Sequence, residues 1–217
     1  WTSPITFVAT ANAALFCGAE IDFVDIDPIT ANLCPNSLAE KLKFTALKGG
    51  KLPKVLIAVH FGGRSCDMNA IKILSEQYNF KVIEDASHAI GGHYQNQPIG
   101  SCQYSDITVF SFHPVKIITT GEGGVAVTND KGYYELMKML SSHGVIKEGA
   151  KFYSAEDGPW YYEQQALGFN YRLTDIQASL GISQLKRIKV FIEKRKAISS
   201  RYKKLLENFP LTSLASD

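Results

Sequence analysis

Two side chains in this sequence could carry covalent and proton-transfer chemistry together: a lysine, Lys116, and a carboxylate, Asp85, each at the end of an apolar run. Lys116 lies in Asp106-Ile-Thr-Val-Phe-Ser-Phe-His-Pro-Val-Lys116, which continues as Ile-Ile-Thr-Thr-Gly-Glu-Gly-Gly124. Ile107 to Phe112 is short, β-branched and aromatic, as buried strands are. His113-Pro114 ends it, because proline has no ladder donor and restricts the residue before it. Lys116 therefore falls just past a strand end, where α/β sheets commonly place ligands. Val115, Ile117 and Ile118 surround it, and partial desolvation makes a neutral, nucleophilic amine more accessible, the requirement for a Schiff-base lysine. A lysine after a strand is more often a surface lysine, so the case rests on what else converges there. Asp85, in Val82-Ile-Glu-Asp-Ala-Ser-His88, stands at another strand end. An amine on one strand end and an acid on the next suit a heteroaromatic cofactor that one group bonds and the other keeps protonated.

The elements that must position these residues read as alternating strands and helices. Phe7 to Phe16 fits a helix ended by Gly18, and Ile21 to Asp25 a strand. Asn36-Ser-Leu-Ala-Glu-Lys-Leu resembles a capped helix, Val55 to Val59 a continuous apolar strand, and Met68 to Tyr78 a helix with Ile71 and Leu74 inward. Lys81 to Asp85, Ile107 to Phe112 and Gly124 to Thr128 add strands, and Lys131 to Ser142 a helix. This order predicts a mostly parallel sheet between helices. Val145 to Gly168 mixes glycine, charge and aromatics and reads either as a long loop of the functional or mobile kind or as an insertion with its own packing. Thr174 and Gln177 have the form of a capping box, with Asp175 in the first turn, so a long helix is expected from there, with Leu173, Ile176, Leu180, Leu185, Ile188 and Ile192 on its apolar side. The basic residues from Lys186 to Lys204 are expected to be its solvated face.

The 217 residues are 45% hydrophobic and 20% charged, enough for one sizeable core or a core plus part of a second domain. A net charge of +2 argues against a polyanion partner, and no arginine–aromatic stripe suggests nucleic acid. No apolar run is long enough to cross a bilayer and no leader pattern opens the chain, so a cytoplasmic protein is expected. Cys17, Cys34, Cys66 and Cys102 form no CxxC pair, which leaves reduced, mostly buried thiols and no metal site. The start at Trp1, without methionine, suggests an excised or partial piece.

Glu84-Asp-Ala-Ser-His-Ala89, Ser111-Phe-His-Pro-Val-Lys116 with Gly121-Glu-Gly-Gly124, and Gly168-Phe-Asn-Tyr-Arg-Leu-Thr-Asp-Ile-Gln177 occur in this order. Together they resemble the DegT/DnrJ-type sugar aminotransferases, over essentially the whole chain. Phe110 to Thr120 and Leu167 to Asp175 further resemble the transaminase subgroup of the pseudaminic acid pathway. The resemblance implies an α/β fold, pyridoxal-phosphate-dependent transferase fold type I, with residues 1–175 as a cofactor-binding large domain lacking its N-terminal part. Residues 176–217 would be a long helix leading into a largely missing C-terminal domain. It implies pyridoxal 5'-phosphate as cofactor, a nucleotide-linked 4-keto-6-deoxy sugar as substrate, glutamate as amino donor, and a homodimer with shared sites.

Carried over position by position, Lys116 matches the lysine that bonds the cofactor and then moves the proton. Asp85 matches the carboxylate on the pyridine nitrogen, which keeps the electron sink charged. His88 falls near the cofactor's 3-hydroxyl, Phe7 matches an aromatic stacked on the ring, and Ser111 matches a hydroxyl on the phosphate. Asn170 matches a residue reaching the phosphate of the neighbouring subunit, and Arg172 supports that loop or meets an anion. The family's phosphate-binding turn at a helix start, ahead of Pro4, is not among these residues. The competing readings are a cofactor-dependent sugar dehydratase, whose members resemble this chain but have histidine at the lysine position, and a non-catalytic sensor of cofactor or sugar. A phosphate-cradling Gly121-Glu-Gly-Gly124 lacks P-loop spacing; its glycines suit a tight turn beside the lysine.

Overall fold

The structure, a computed structural model, describes residues 1–147, 152–153, 158–211 and 214. Helices α1 (Ala9–Phe16), α2 (Pro35–Leu47), α3 (Met68–Tyr78), α4 (Lys131–Leu140), α5 (Asp175–Leu185) and α6 (Ile188–Leu206) surround the strands β1 (Val55–Val59), β2 (Lys81–Asp85), β5 (Ile107–Ser111) and β6 (Gly124–Val127). These four form one sheet in the order β1-β2-β5-β6. The first three run parallel and β6 returns antiparallel. The small ladders β3 (His93–Tyr94) with β4 (Gln97–Pro98), and β7 (Val145–Ile146) with β8 (Glu163–Gln164), lie outside it.

Register assigns each strand residue to a face. Leu56, Ala58, Val82, Glu84, Thr108 and Phe110 alternate inward and are buried. Most of the core forms where Leu56, Ala58 and Val82 meet Leu38 and Leu42 of α2 and Met68 and Ile71 of α3. The opposite face carries Asp85, which meets α1 through Thr10. Helices thus flank both faces, as the alternating pattern requires. Asp67 caps α3 by accepting from Ala70 N–H, and Asp130 caps α4 by accepting from Tyr133 N–H.

Four expectations change. Ile21 to Asp25 forms no strand: Phe23 makes a single bridge to Thr2, which also bridges Ile57, and Pro4, two residues on, has no N–H to carry a ladder further. α2 begins at Pro35, with Cys34 as a cap that makes no side-chain bond, since proline suits the first helical position and Asn36 lies inside the helix. The single long helix divides at Lys186 and Arg187 into α5 and α6. Its apolar side is not buried in this chain, with Ile176 85% exposed and Leu173, Leu180 and Leu185 exposed as well. Of the four thiols, only Cys66 and Cys102 are buried. The β7–β8 ladder pairs two parts of the 145–168 loop, of which residues 148–151 and 154–157 lie outside the described residues, as do most of the final seven. Among the described residues no helix is long and apolar enough to cross a membrane, and no cluster of potential metal ligands occurs.

Candidate active site

Lys116 follows β5 in a loop that closes on a single residue. Phe112 N–H donates to Gly123 O (2.8 Å), while Phe112 O accepts from Thr120 N–H (3.0 Å) and from the Thr119 hydroxyl (2.9 Å). Within this loop Lys116 N–H donates to His113 O (3.0 Å), and His113 Nδ1 accepts from Val115 N–H (3.3 Å). Gly123 has φ +152°, and a Cβ there would stand 2.4 Å from Thr120 Oγ1, so the Gly121–Gly124 run is the tight return of the loop to β6. The lysine is half-buried: Ile118 packs inward, whereas Val115 is 69% exposed, so the apolar collar read from the sequence covers one side only.

Asp85 ends β2 with both carboxylate oxygens occupied. Oδ2 accepts from Thr10 Oγ1 (2.7 Å), and Oδ1 from Ser87 Oγ (2.6 Å) and Ser87 N–H (3.2 Å). These donors fix the carboxylate's plane at the strand end. Asp85 pairs with Val109 on β5, and Ser111 lies two residues further along, so all three share one sheet face, with the half-exposed Val109 as an apolar floor. Ser111 Oγ accepts from His113 N–H (3.3 Å), which leaves its own proton free to donate.

His88 joins these groups electrostatically. Partial burial against the protein lowers its pKa from the ordinary 6.5, the Lys116 charge lowers it further, and Asp85 opposes both. The ring is therefore neutral at pH 7, within the field of amine and carboxylate alike. Phe7 lies one turn before Thr10, whose N–H donates to Phe7 O (3.1 Å), and is 73% exposed, so its ring is open to solvent on the element that supplies Thr10 to Asp85. The structure thus brings Lys116, Asp85, His88, Ser111 and Phe7 to one edge of the sheet.

Asn170 and Arg172 are placed differently. Asn170 bridges Ser142 just past α4, and Phe169 and Tyr171 are tied to Leu140, Ser141 and His143 by backbone hydrogen bonds. Both side chains are exposed, and among the described residues no hydrogen bond joins either to Lys116, Asp85 or Ser111.

Thr10 and Ser87 went unrecognised in the sequence. Ser87 follows Asp85 at the spacing of a local side-chain turn, a readable signal; Thr10 is 75 positions away and gives none. Also unrecognised was a closed polar cluster on the other sheet face. Glu84 accepts from His60 Nε2 (2.8 Å), Thr108 Oγ1 (3.0 Å) and Ser105 Oγ. His60 Nδ1 accepts from Cys66 N–H (3.2 Å), which places the ring proton on Nε2, toward Glu84. Burial would raise Glu84, yet these donors outweigh it and hold its pKa below the usual 4.5. Burial pushes the Cys66 thiol up to about 12, and it donates to Val59 O (3.2 Å).

The residues present fit a pyridoxal-type cofactor: an amine, an oriented carboxylate, a neutral imidazole, a donor hydroxyl and an open aromatic face line one sheet edge. Comparison with known proteins agrees. The sequence profile of the DegT/DnrJ/EryC1/StrS aminotransferase family matches residues 1–216. A UDP-4-amino-4,6-dideoxy-N-acetyl-beta-L-altrosamine transaminase of Campylobacter jejuni is 41% identical over 206 residues, covering 95% of this chain and 50% of that protein. The structure of Helicobacter pylori PseC, an aminotransferase involved in the biosynthesis of pseudoaminic acid, matches with TM-score 0.82 at 33% identity, over 96% of this chain and 51% of that one. The Streptococcus pneumoniae putative sugar aminotransferase Spr1654, solved in its PMP form, matches with TM-score 0.82 at 28% identity, over 100% of this chain and 57% of that one. The chain spans about half the length of the relatives it matches.

Proposed function

Because this chain belongs to the DegT/DnrJ/EryC1/StrS aminotransferase family, we propose that the protein it comes from transfers an amino group from glutamate to the ketone of a nucleotide-linked 4-keto-6-deoxy sugar, a UDP-sugar destined for surface glycan or glycoprotein synthesis. The observation that carries this is Asp85 at the end of β2 beside Lys116 in the loop that leaves the adjacent parallel strand β5. Relatives named as altrosamine transaminases support the sugar class.

Pyridoxal phosphate, when bound, supplies an electron sink that lets a carbon–hydrogen bond next to nitrogen ionise. Each further task falls to a side chain. Lys116 would hold the cofactor through its amine, and that amine, once free, is the group placed to carry the proton. Asp85, held by Thr10 and Ser87, would hold the cofactor's ring nitrogen in its protonated form. His88, with its lowered pKa, would offer a neutral imidazole to the cofactor, and Phe7 would offer an aromatic face for it to stack on. The Ser111 hydroxyl would donate to the cofactor's phosphate from the same stretch that carries Lys116. Asn170 and Arg172, exposed and docked on the end of α4, serve a neighbouring subunit in a homodimer, and the exposed Leu173, Ile176 and Leu180 supply apolar surface for that contact. Residues 1–175 act as the cofactor-binding large domain, and residues from 176 lead out of it. The presence of Lys116 disfavours the dehydratase reading, which calls for histidine at that position.

The test is turnover by the full-length protein. Mixed with pyridoxal phosphate, glutamate and a UDP-linked 4-keto-6-deoxy sugar, it should release 2-oxoglutarate in equal amount to aminated sugar. Sugar bound without either product forming would leave the sensor reading in its place.

A further inference from the structure

The two C-terminal helices grip the lysine loop and the carboxylate loop from outside. α5 seats on the return of the lysine loop. Gln177 Nε2 donates to Glu122 O (2.9 Å), a Cβ on Gly123 would stand 3.0 Å from Leu173 Cδ1, and one on Gly181 would stand 3.0 Å from Thr120 Cγ2. Gln177 and Gly181 stand four apart on one face of α5, and Leu173 lies just before its cap, so the start of the helix makes all three contacts. Gln177 also completes the capping box with Thr174, which fixes the start of α5 at the loop it holds.

α6 reaches both loops with its first two turns. Gly91, in the turn after Asp85, has φ +81°, and a Cβ there would stand 2.6 Å from Ile192 Cδ1 and 3.1 Å from Ile188 Cδ1. One turn further, Arg195 Nη2 donates to the carbonyl of Lys116 itself (3.3 Å). Ile188, Ile192 and Arg195 are spaced four and three apart, so a single helix face spans the Asp85 turn and the Lys116 backbone. Beyond these residues α6 is exposed.

Resting on the reading of Lys116 as the cofactor-bearing residue, we propose that Arg195 is a positioning residue, which holds the Lys116 backbone at a set distance from the Asp85 turn through the rigid face of α6. A guanidinium suits this task, since its planar donors bind a carbonyl oxygen while the charge stays in solvent. Proton transfer needs the amine within reach of both carbons it serves, so loosening its backbone lowers turnover more than binding.

The experiment uses the full-length protein loaded with pyridoxal phosphate, as wild type, Arg195→Ala, Arg195→Lys and, further along the same exposed helix, Arg201→Ala. Alanine is the best helix former, so neither alanine variant threatens α6. Arg195→Ala should lower kcat about 10-fold, leave KM for glutamate within about twofold, and shift the pH midpoint of the bound cofactor's visible absorption. Arg195→Lys should restore most of the rate, and Arg201→Ala should match wild type in rate and midpoint. An Arg195→Ala protein with wild-type kcat and midpoint overturns the positioning role, as does an equal loss in Arg201→Ala, which would trace the effect to helix charge. A wild type that carries no borohydride-stable cofactor on Lys116 overturns the functional reading and this proposal with it; a labelled wild type beside an unaffected Arg195→Ala overturns the positioning role alone.

Discussion

Glu84 and Asp85 are adjacent in the chain and chemically near-identical, yet they face opposite sides of the sheet into unlike surroundings. Glu84 turns to the core, is 5% exposed, and has three side-chain donors. Asp85 turns to the other face, where Thr10 and Ser87 hold it and where its charge and that of Lys116 both act on His88. One register step separates a structural carboxylate from a candidate catalytic one. The closed cluster spends its hydrogen bonds on itself; the open one keeps a side free for a ligand.

The largest break in this comparison should come from the open side. Lys116→Ala should lower amination roughly ten-thousand-fold, since it removes the general acid and base, with thermal unfolding nearly unchanged. Asp85→Asn should cost roughly a hundredfold to a thousandfold in kcat, again with little change in melting, because a preorganised charge is lost while packing stays. Steady-state kinetics with melting curves check both.

Glu84→Gln should reverse that pattern. It sets an amide against donors built for a carboxylate and should lose about 2 kcal/mol in urea unfolding, with kcat changed far less than in Asp85→Asn. The depressed folded pKa of Glu84 also gives a pH signature: its contribution is fully present above the usual 4.5 and is lost as pH falls through the lower folded value. Wild-type stability should therefore decline below pH 4.5 more steeply than that of Glu84→Gln. The smallest effect concerns His88. Its lowered pKa means the unfolded chain takes the proton first, so a slight destabilisation begins as pH falls below 6.5 and is complete once the folded ring titrates. An NMR titration should place the wild-type midpoint below 6.5 and move it upward in Lys116→Ala, which removes one of the charges that depresses it.

Much of this could be read from the residues, for reasons that differ by element. β1, α3 and β5 are announced by local pattern: a continuous apolar run, Ile71 and Leu74 at helical spacing, and Pro114 after the last strand. Lys116 and Asp85 follow from standing at strand ends. Glu84 was hidden because its meaning lies in pairing, with His60 24 positions back and Ser105 and Thr108 over 20 ahead. Thr10 was hidden likewise, and the helical break at Lys186 and Arg187 has no proline or glycine to mark it. The α5 apolar row misled because periodicity shows which residues share a face and not what covers it.

The most direct measurement is borohydride reduction of the full-length protein with pyridoxal phosphate, followed by peptide mass mapping, with Lys116→Ala alongside. A reduced cofactor mass on the peptide containing Lys116, absent from the variant, is the expected result. A wild type that stays colourless, or a label on any other lysine, would contradict the assignment of Lys116 and with it the reading of this sheet edge as an aminotransferase site.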